Sequence, residues 1–122
     1  MPASILCVDD DVRDLELNEE MLRAAGFRVF SARDTRSAME IFMRESIDLV
    51  LLDFGLPMTD GGILAFEMRR RKPEVKIVFF CGEPSAPMPK HIVDAVIGKD
   101  CESSQIIREI HLLLGSSSSR VA

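Results

Sequence analysis

Long apolar runs, paired cysteines and a surplus of positive charge are all missing from this chain of 122 residues, and each absence removes a class of protein. No apolar stretch approaches the roughly 20 residues a helix needs to cross a bilayer. No basic segment precedes the short apolar run at residues 5–8 as it would in a secretory signal, so the cytoplasm is the expected compartment and no membrane contact is expected. Cys7, Cys81 and Cys101 are an odd and widely spaced set, which fits neither a disulfide framework nor a zinc site. A net charge of -5 leaves no basic face for nucleic acid. The one basic run, Arg69-Arg70-Arg71-Lys72, closes a helical segment, where cations suit the negative end of the helix dipole. Also lacking are a glycine fingerprint after the first strand, a Walker lysine loop and histidines at ligand spacing, since His91 and His111 stand alone.

What is present alternates. Apolar runs of strand length at residues 5–8, 27–30, 49–52, 77–80 and 95–97 are separated by helical patterns at 11–25, 35–45 and 62–72, with a last helix whose stripe is Ile106, Ile107, Ile110, Leu113 and Leu114. Gly26, Pro73 and Gly115 serve as stops, and Asp34 as an N-cap. Strands this apolar are covered on both faces, so the expected fold is α/β: a doubly wound, five-stranded parallel sheet with helices on both sides. One domain, residues 1–115, is expected, followed by a flexible tail or linker stub, "SSSSRVA", at 116–122.

In such folds the working site lies beyond the carboxyl ends of the strands, at the crevice where strand order reverses. Those ends carry Asp9 and Asp10, Asp53, Cys81 and Lys99. If the first and third strands are neighbours, three carboxylates converge, and a hard divalent cation such as Mg²⁺ would relieve their repulsion. Asp10 or Asp11 could instead cap the first helix, which accounts for one aspartate and not for the others. Asp53 is suited to be a nucleophile toward a phosphoryl donor, with Lys99 as the available cation.

The motifs "ILCVDDD", "LVLLDFGLPMTDG" and "VIGKD" together resemble those of a response-regulator receiver domain, the phosphoacceptor half of a two-component signalling pair. The resemblance spans nearly all of the chain to Gly115. It implies a flavodoxin-like strand order, 2-1-3-4-5, and a phosphorelay role in which Asp53 takes a phosphoryl group from a histidine kinase, a phosphotransfer protein or a small acyl phosphate. It further implies Mg²⁺ held by Asp10, Asp53 and the backbone carbonyl of Gly55, with Asp9 helping through a water and Lys99 pairing with the phosphoryl oxygens. Asp11 is then left for the helix start. The domain would relay its signal to an output partner and turn over no substrate, its chemistry being confined to its own phosphorylation and dephosphorylation.

Three departures from the family pattern stand out. Cys81 occupies the position of a Thr or Ser that bonds the phosphoryl group, and its thiol is a weak donor. Val96 stands where the family has an aromatic switch residue. The segment "GEPSAPMPKHIVDAV" is short and carries Pro84, Pro87 and Pro89, so the fourth helix should shrink to a short piece near residues 89–94. Asp100 follows Lys99 in place of the frequent proline, so no cis peptide is expected there. Gly55 and Glu83 occupy the positions that tune phosphoryl lifetime in the family. An alternative to the phosphoacceptor is a receiver-like adaptor that binds its partner regardless of phosphorylation. A hydrolase is disfavoured because no second aspartate lies two residues beyond Asp53.

Overall fold

The computed structural model describes residues 2–53, 61–82 and 90–115. Five strands, β1 (Ser4–Val8), β2 (Arg28–Ala32), β3 (Leu49–Asp53), β4 (Lys76–Cys81) and β5 (Ala95–Gly98), form one sheet in the order β2-β1-β3-β4-β5 with every pairing parallel. The helices are α1 (Val12–Ala24), α2 (Thr35–Arg44), α3 (Gly61–Arg71) and α4 (Ser103–Gly115). This is the doubly wound sheet that the alternating pattern requires.

Side chains alternate across the sheet and split the core in two. Ile5, Cys7, Leu49, Leu51, Val78 and Phe80 point to the side that holds Leu15 and Leu22 of α1 and Ile106 and Ile110 of α4. Leu6, Val8, Val50, Leu52, Ile77 and Phe79 point to the side that holds Phe42 of α2 and Leu64 and Met68 of α3. β1 and β3 are buried at every position because both faces are covered. Cys7, at the centre of β1, is fully buried, and that burial pushes its thiol pKa well up and leaves it inert.

Local chemistry sets the helix ends. Asp11, not Asp10, caps α1: its carboxylate accepts the Asp14 N–H at 3.0 Å. Asp34 caps α2 in the same way through Ser37 N–H at 2.7 Å. Gly26 closes α1 with a φ of 95°, a left-handed conformation that glycine adopts without strain, while its N–H reaches Arg23 O at 2.9 Å. Asp60, the residue before α3, lies outside the described residues.

Two expectations shift. The second strand runs over Arg28–Ala32 and not residues 27–30. It is an edge strand, so its extent follows the ladder from Ser4↔Arg28 to Val8↔Ala32 and not its own apolarity, and Phe27 is buried just before it. The basic run at the end of α3 also does more than complement its own helix. Lys72 Nζ donates to the carbonyls of Phe42 and, at 3.0 Å, Glu45, so it caps the end of α2.

Between β4 and β5 the described residues form a 3-10 turn, Lys90–Ile92, within the span expected for the shortened helix, while Pro84, Pro87 and Pro89 lie outside the described residues. No described peptide bond is cis. Asp94 secures the chain before β5. Its carboxylate accepts Arg69 Nη2 at 2.6 Å and the Ile77 N–H at 2.8 Å, and its own N–H donates to Ile77 O at 2.8 Å. Arg69 also donates to the carbonyls of Pro73 at 2.8 Å and Val75 at 2.6 Å, tying the exit of α3 to the approach to β5.

Candidate functional site

Strand order places the site. Chain direction across the sheet reverses at β1, with β2 on one side and β3 on the other, so a crevice opens beyond the ends of β1 and β3. Val8 pairs with Leu52, which makes Asp9 and Asp53 the next residues of two adjacent strands. Both are nearly inaccessible, whereas Asp10 is exposed. One carboxylate oxygen from each of Asp9, Asp10 and Asp53 lies within 4.8 Å of the others.

Lys99 closes the crevice from the far side. Its N–H donates to Cys81 O at 2.8 Å, extending the β4–β5 ladder by one residue. Its side chain reaches back past Phe80, whose ring centre is 6.0 Å from Nζ, and sets the ammonium 3.2 Å from Asp53 Oδ1 and 3.6 Å from Asp9 Oδ2. Burial lowers the Lys99 pKa, but Asp53, Asp9 and Asp14 together outweigh it and hold the group above its ordinary value, firmly charged.

Asp9, Asp10, Asp53 and Lys99 are thus brought together at the strand ends, with one addition, Asp14. Cys81 ends β4 buried, one position beyond the Asp53↔Phe80 pair and opposite Gly98. Val96 pairs with Phe79 and packs half-buried against the core on the α2–α3 side, beside Ile92 and Val93. Gly55 and Glu83 lie outside the described residues. Sequence reasoning missed Asp14, whose Oδ2 is 3.6 Å from Lys99 Nζ. The available signal was its place in the first turn of α1, three residues after the cap, on the turn that opens over the strand ends.

The donor set fits a hard divalent cation. Asp9 accepts the Asp11 N–H at 3.0 Å through Oδ1, but its other oxygen is buried without a hydrogen bond among the described residues, 3.6 Å from the Lys99 ammonium. An orphaned carboxylate oxygen among two further carboxylates is what an oxygen-ligated ion such as Mg²⁺ would satisfy. The cost of burying this carboxylate shows in its pKa. Burial raises its pKa most; the Asp11 N–H opposes this, Asp53 adds to it and Lys99 offsets part, leaving a value of about 6 in place of 3.8.

The sign of the pH effect follows. Between about pH 4 and 6 the folded protein keeps a proton that the unfolded chain has lost, so stability falls as pH rises through that window, and the penalty is complete above it. Without divalent ions, Asp9→Asn should therefore be more stable than the parent by about 1–3 kcal/mol at neutral pH, with the gap closing toward pH 4. Adding Mg²⁺ should stabilise the parent and not the variant. Urea denaturation at several pH values checks this, and a gap that is the same at both ends of the range would refute it.

The family model for the response regulator receiver domain matches residues 5–111. The transcriptional regulatory protein GlrR of Escherichia coli is 30% identical over 86 residues, covering 70% of this chain and 19% of that protein. The chain thus spans about a fifth of the length of that curated relative. A CheY-like receiver domain protein of Methanospirillum hungatei superposes with a TM-score of 0.89 at 23% identity, over 98% of this chain and 99% of the other. The response regulator TrrA of Thermotoga maritima, solved with Mg²⁺-BeF, gives 0.84 at 26% identity over 91% and 98%. TrrA has also been solved in complex with the histidine kinase ThkA, and that structure gives 0.84 at 27% identity over 92% and 98%.

Proposed function

Because the chain belongs to the response regulator receiver domain family, we propose that Asp53 is the acceptor of a phosphoryl group in a two-component relay. The observation that carries this reading is the Lys99 ammonium 3.2 Å from Asp53 Oδ1, beside a cluster of carboxylate oxygens within 4.8 Å of one another. Asp53 supplies the attacking oxygen, and Lys99, already paired with it, is placed to follow the charge onto the transferring group. Asp10, Asp53 and the carbonyl of Gly55 would hold Mg²⁺, with Asp9 acting through a water. The ion, when bound, neutralises the phosphoryl oxygens. Cys81 replaces the usual hydroxyl donor and anchors the phosphoryl group weakly.

The donor is a histidine kinase or a phosphotransfer protein, in keeping with the TrrA–ThkA pair, and a small acyl phosphate can stand in for it. Such a relay operates in the cytoplasm, and no helix of the described residues is long and apolar enough to cross a membrane. Residues 1–115 form the receiver, and it turns over no substrate beyond gaining and losing its own phosphoryl group. The test is intact-mass spectrometry after incubation with acetyl phosphate. A single phosphoryl adduct should form with Mg²⁺ and not with EDTA, and a parent protein that takes none under either condition would overturn the assignment.

A second reading, a partner-binding adaptor indifferent to phosphorylation, is favoured by the β5 side of the molecule. Val96 offers no ring to swing, and the Arg69–Asp94 pair pins the chain just before it. Under that reading, partner affinity is the same for the parent and for Asp53→Asn.

A further inference from the structure

Lys99 serves a carboxylate outside the three that could hold a cation. Asp14 Oδ2 lies 3.6 Å from the ammonium, as close as Asp9, yet Asp14 is not among the residues whose oxygens cluster within 4.8 Å. Its side chain is 45% exposed against 9% for Asp53, so it stands on the rim of the site while Asp53 lies on the floor. The backbone behind this rim position is held by the helix cap, since the Asp14 N–H donates to the Asp11 carboxylate at 3.0 Å. Asp14 and Lys99 also line one end of the groove between α1 and α4, with Asn18, Phe80 and Cys101.

One cation is therefore shared between an acceptor and a rim carboxylate. We propose that Asp14 is a positioning residue for Lys99 that selects phosphodonors by charge. This rests on the phosphoacceptor reading of Asp53. In the transfer, an Asp53 oxygen forms a bond to phosphorus while the bond from phosphorus to the leaving group breaks. Acetate departs with the bonding pair from acetyl phosphate, and ammonia departs from phosphoramidate. The arriving phosphoryl oxygens need the Lys99 charge, which Asp14 holds in part toward the rim, and a donor rich in negative charge must also pass the Asp14 carboxylate itself. The cost of that passage grows with the charge of the donor. An exposed pair of this kind adds little to stability, so its effect falls on the rate.

The experiment compares phosphorylation rates of the parent, Asp14→Asn and Asp14→Glu, at Mg²⁺ far above its Kd, with acetyl phosphate and with phosphoramidate, which carries one negative charge fewer near neutral pH. Asp14→Asn should gain about three- to tenfold with acetyl phosphate, clearly less with phosphoramidate, and lose most of the gain in high salt. Asp14→Glu should stay near the parent, and the urea midpoint should be the same for all three proteins. Equal changes with both donors, no change, or a fall would overturn the role of Asp14 while leaving Asp53 as acceptor. A parent protein that takes no adduct from either donor would overturn both.

Discussion

Lys99→Ala should slow phosphoryl uptake from acetyl phosphate by about a hundredfold or more, although Asp53 remains in place, and Asp53→Asn should abolish it. The two losses have different causes. Asparagine at position 53 has no anionic oxygen to attack phosphorus. Alanine at position 99 keeps the nucleophile but removes the charge now 3.2 Å from it, so negative charge on the transferring group accumulates beside Asp9 and Asp53 without compensation. Time courses of the intact mass separate the cases. The Lys99 variant should still reach an adduct slowly, whereas the Asp53 variant should reach none. An Asp53→Asn protein that is labelled at the parental rate would move the acceptor elsewhere.

The meeting of Asp53 and Lys99 was legible in the sequence because each ends an apolar run. A residue that follows a fully buried parallel strand has only one place to go, the mouth of the crevice, so Asp9, Asp53 and Lys99 could be placed together without coordinates. Asp14 could not be placed in this way. Its contact depends on the angle at which α1 leaves the sheet, and that angle follows from the cap at Asp11, which the sequence left open between Asp10 and Asp11. The edge strand β2 was misplaced for a related reason: with one open side, its pairing with β1 sets its length, and apolarity alone gave residues 27–30. The short helical piece near residues 89–94 was legible and corresponds to the 3-10 turn Lys90–Ile92, but the anchor behind it was not. Nothing in the pattern of residues 69–94 announces that Arg69 and Asp94 meet.

That meeting gives the second large effect. Asp94→Ala should lower stability by about 3 kcal/mol, seen as a shift in the urea midpoint at unchanged m-value. The Asp94 side chain is only 3% exposed and satisfies both the Arg69 guanidinium and the Ile77 N–H. Removing it leaves a partly buried cation with only carbonyl partners, together with a strand N–H without its acceptor. Arg69→Ala should cost a similar amount, and the double variant less than the sum of the two, because the second substitution relieves the group stranded by the first. Strict additivity, or a cost below about 1 kcal/mol for Asp94→Ala, would show that the approach to β5 is held by Ile92, Val93 and Val96 packing alone. The pair matters to the site because β5 leads into Lys99, and the described part of the connection into that strand is a 3-10 turn, Lys90–Ile92.

The position of Lys99 has a consequence for the order in which the fold can assemble. Asp9 and Asp53 belong to strands that pair directly, whereas the ammonium between them arrives on β5, at the opposite edge of the sheet and near the end of the chain. Pairing β1 with β3 brings two carboxylates together, and only a third, later segment of the chain supplies their counter-charge. The neutralising contact at the heart of the crevice is thus one of long sequence separation, complete only once β5 is in place.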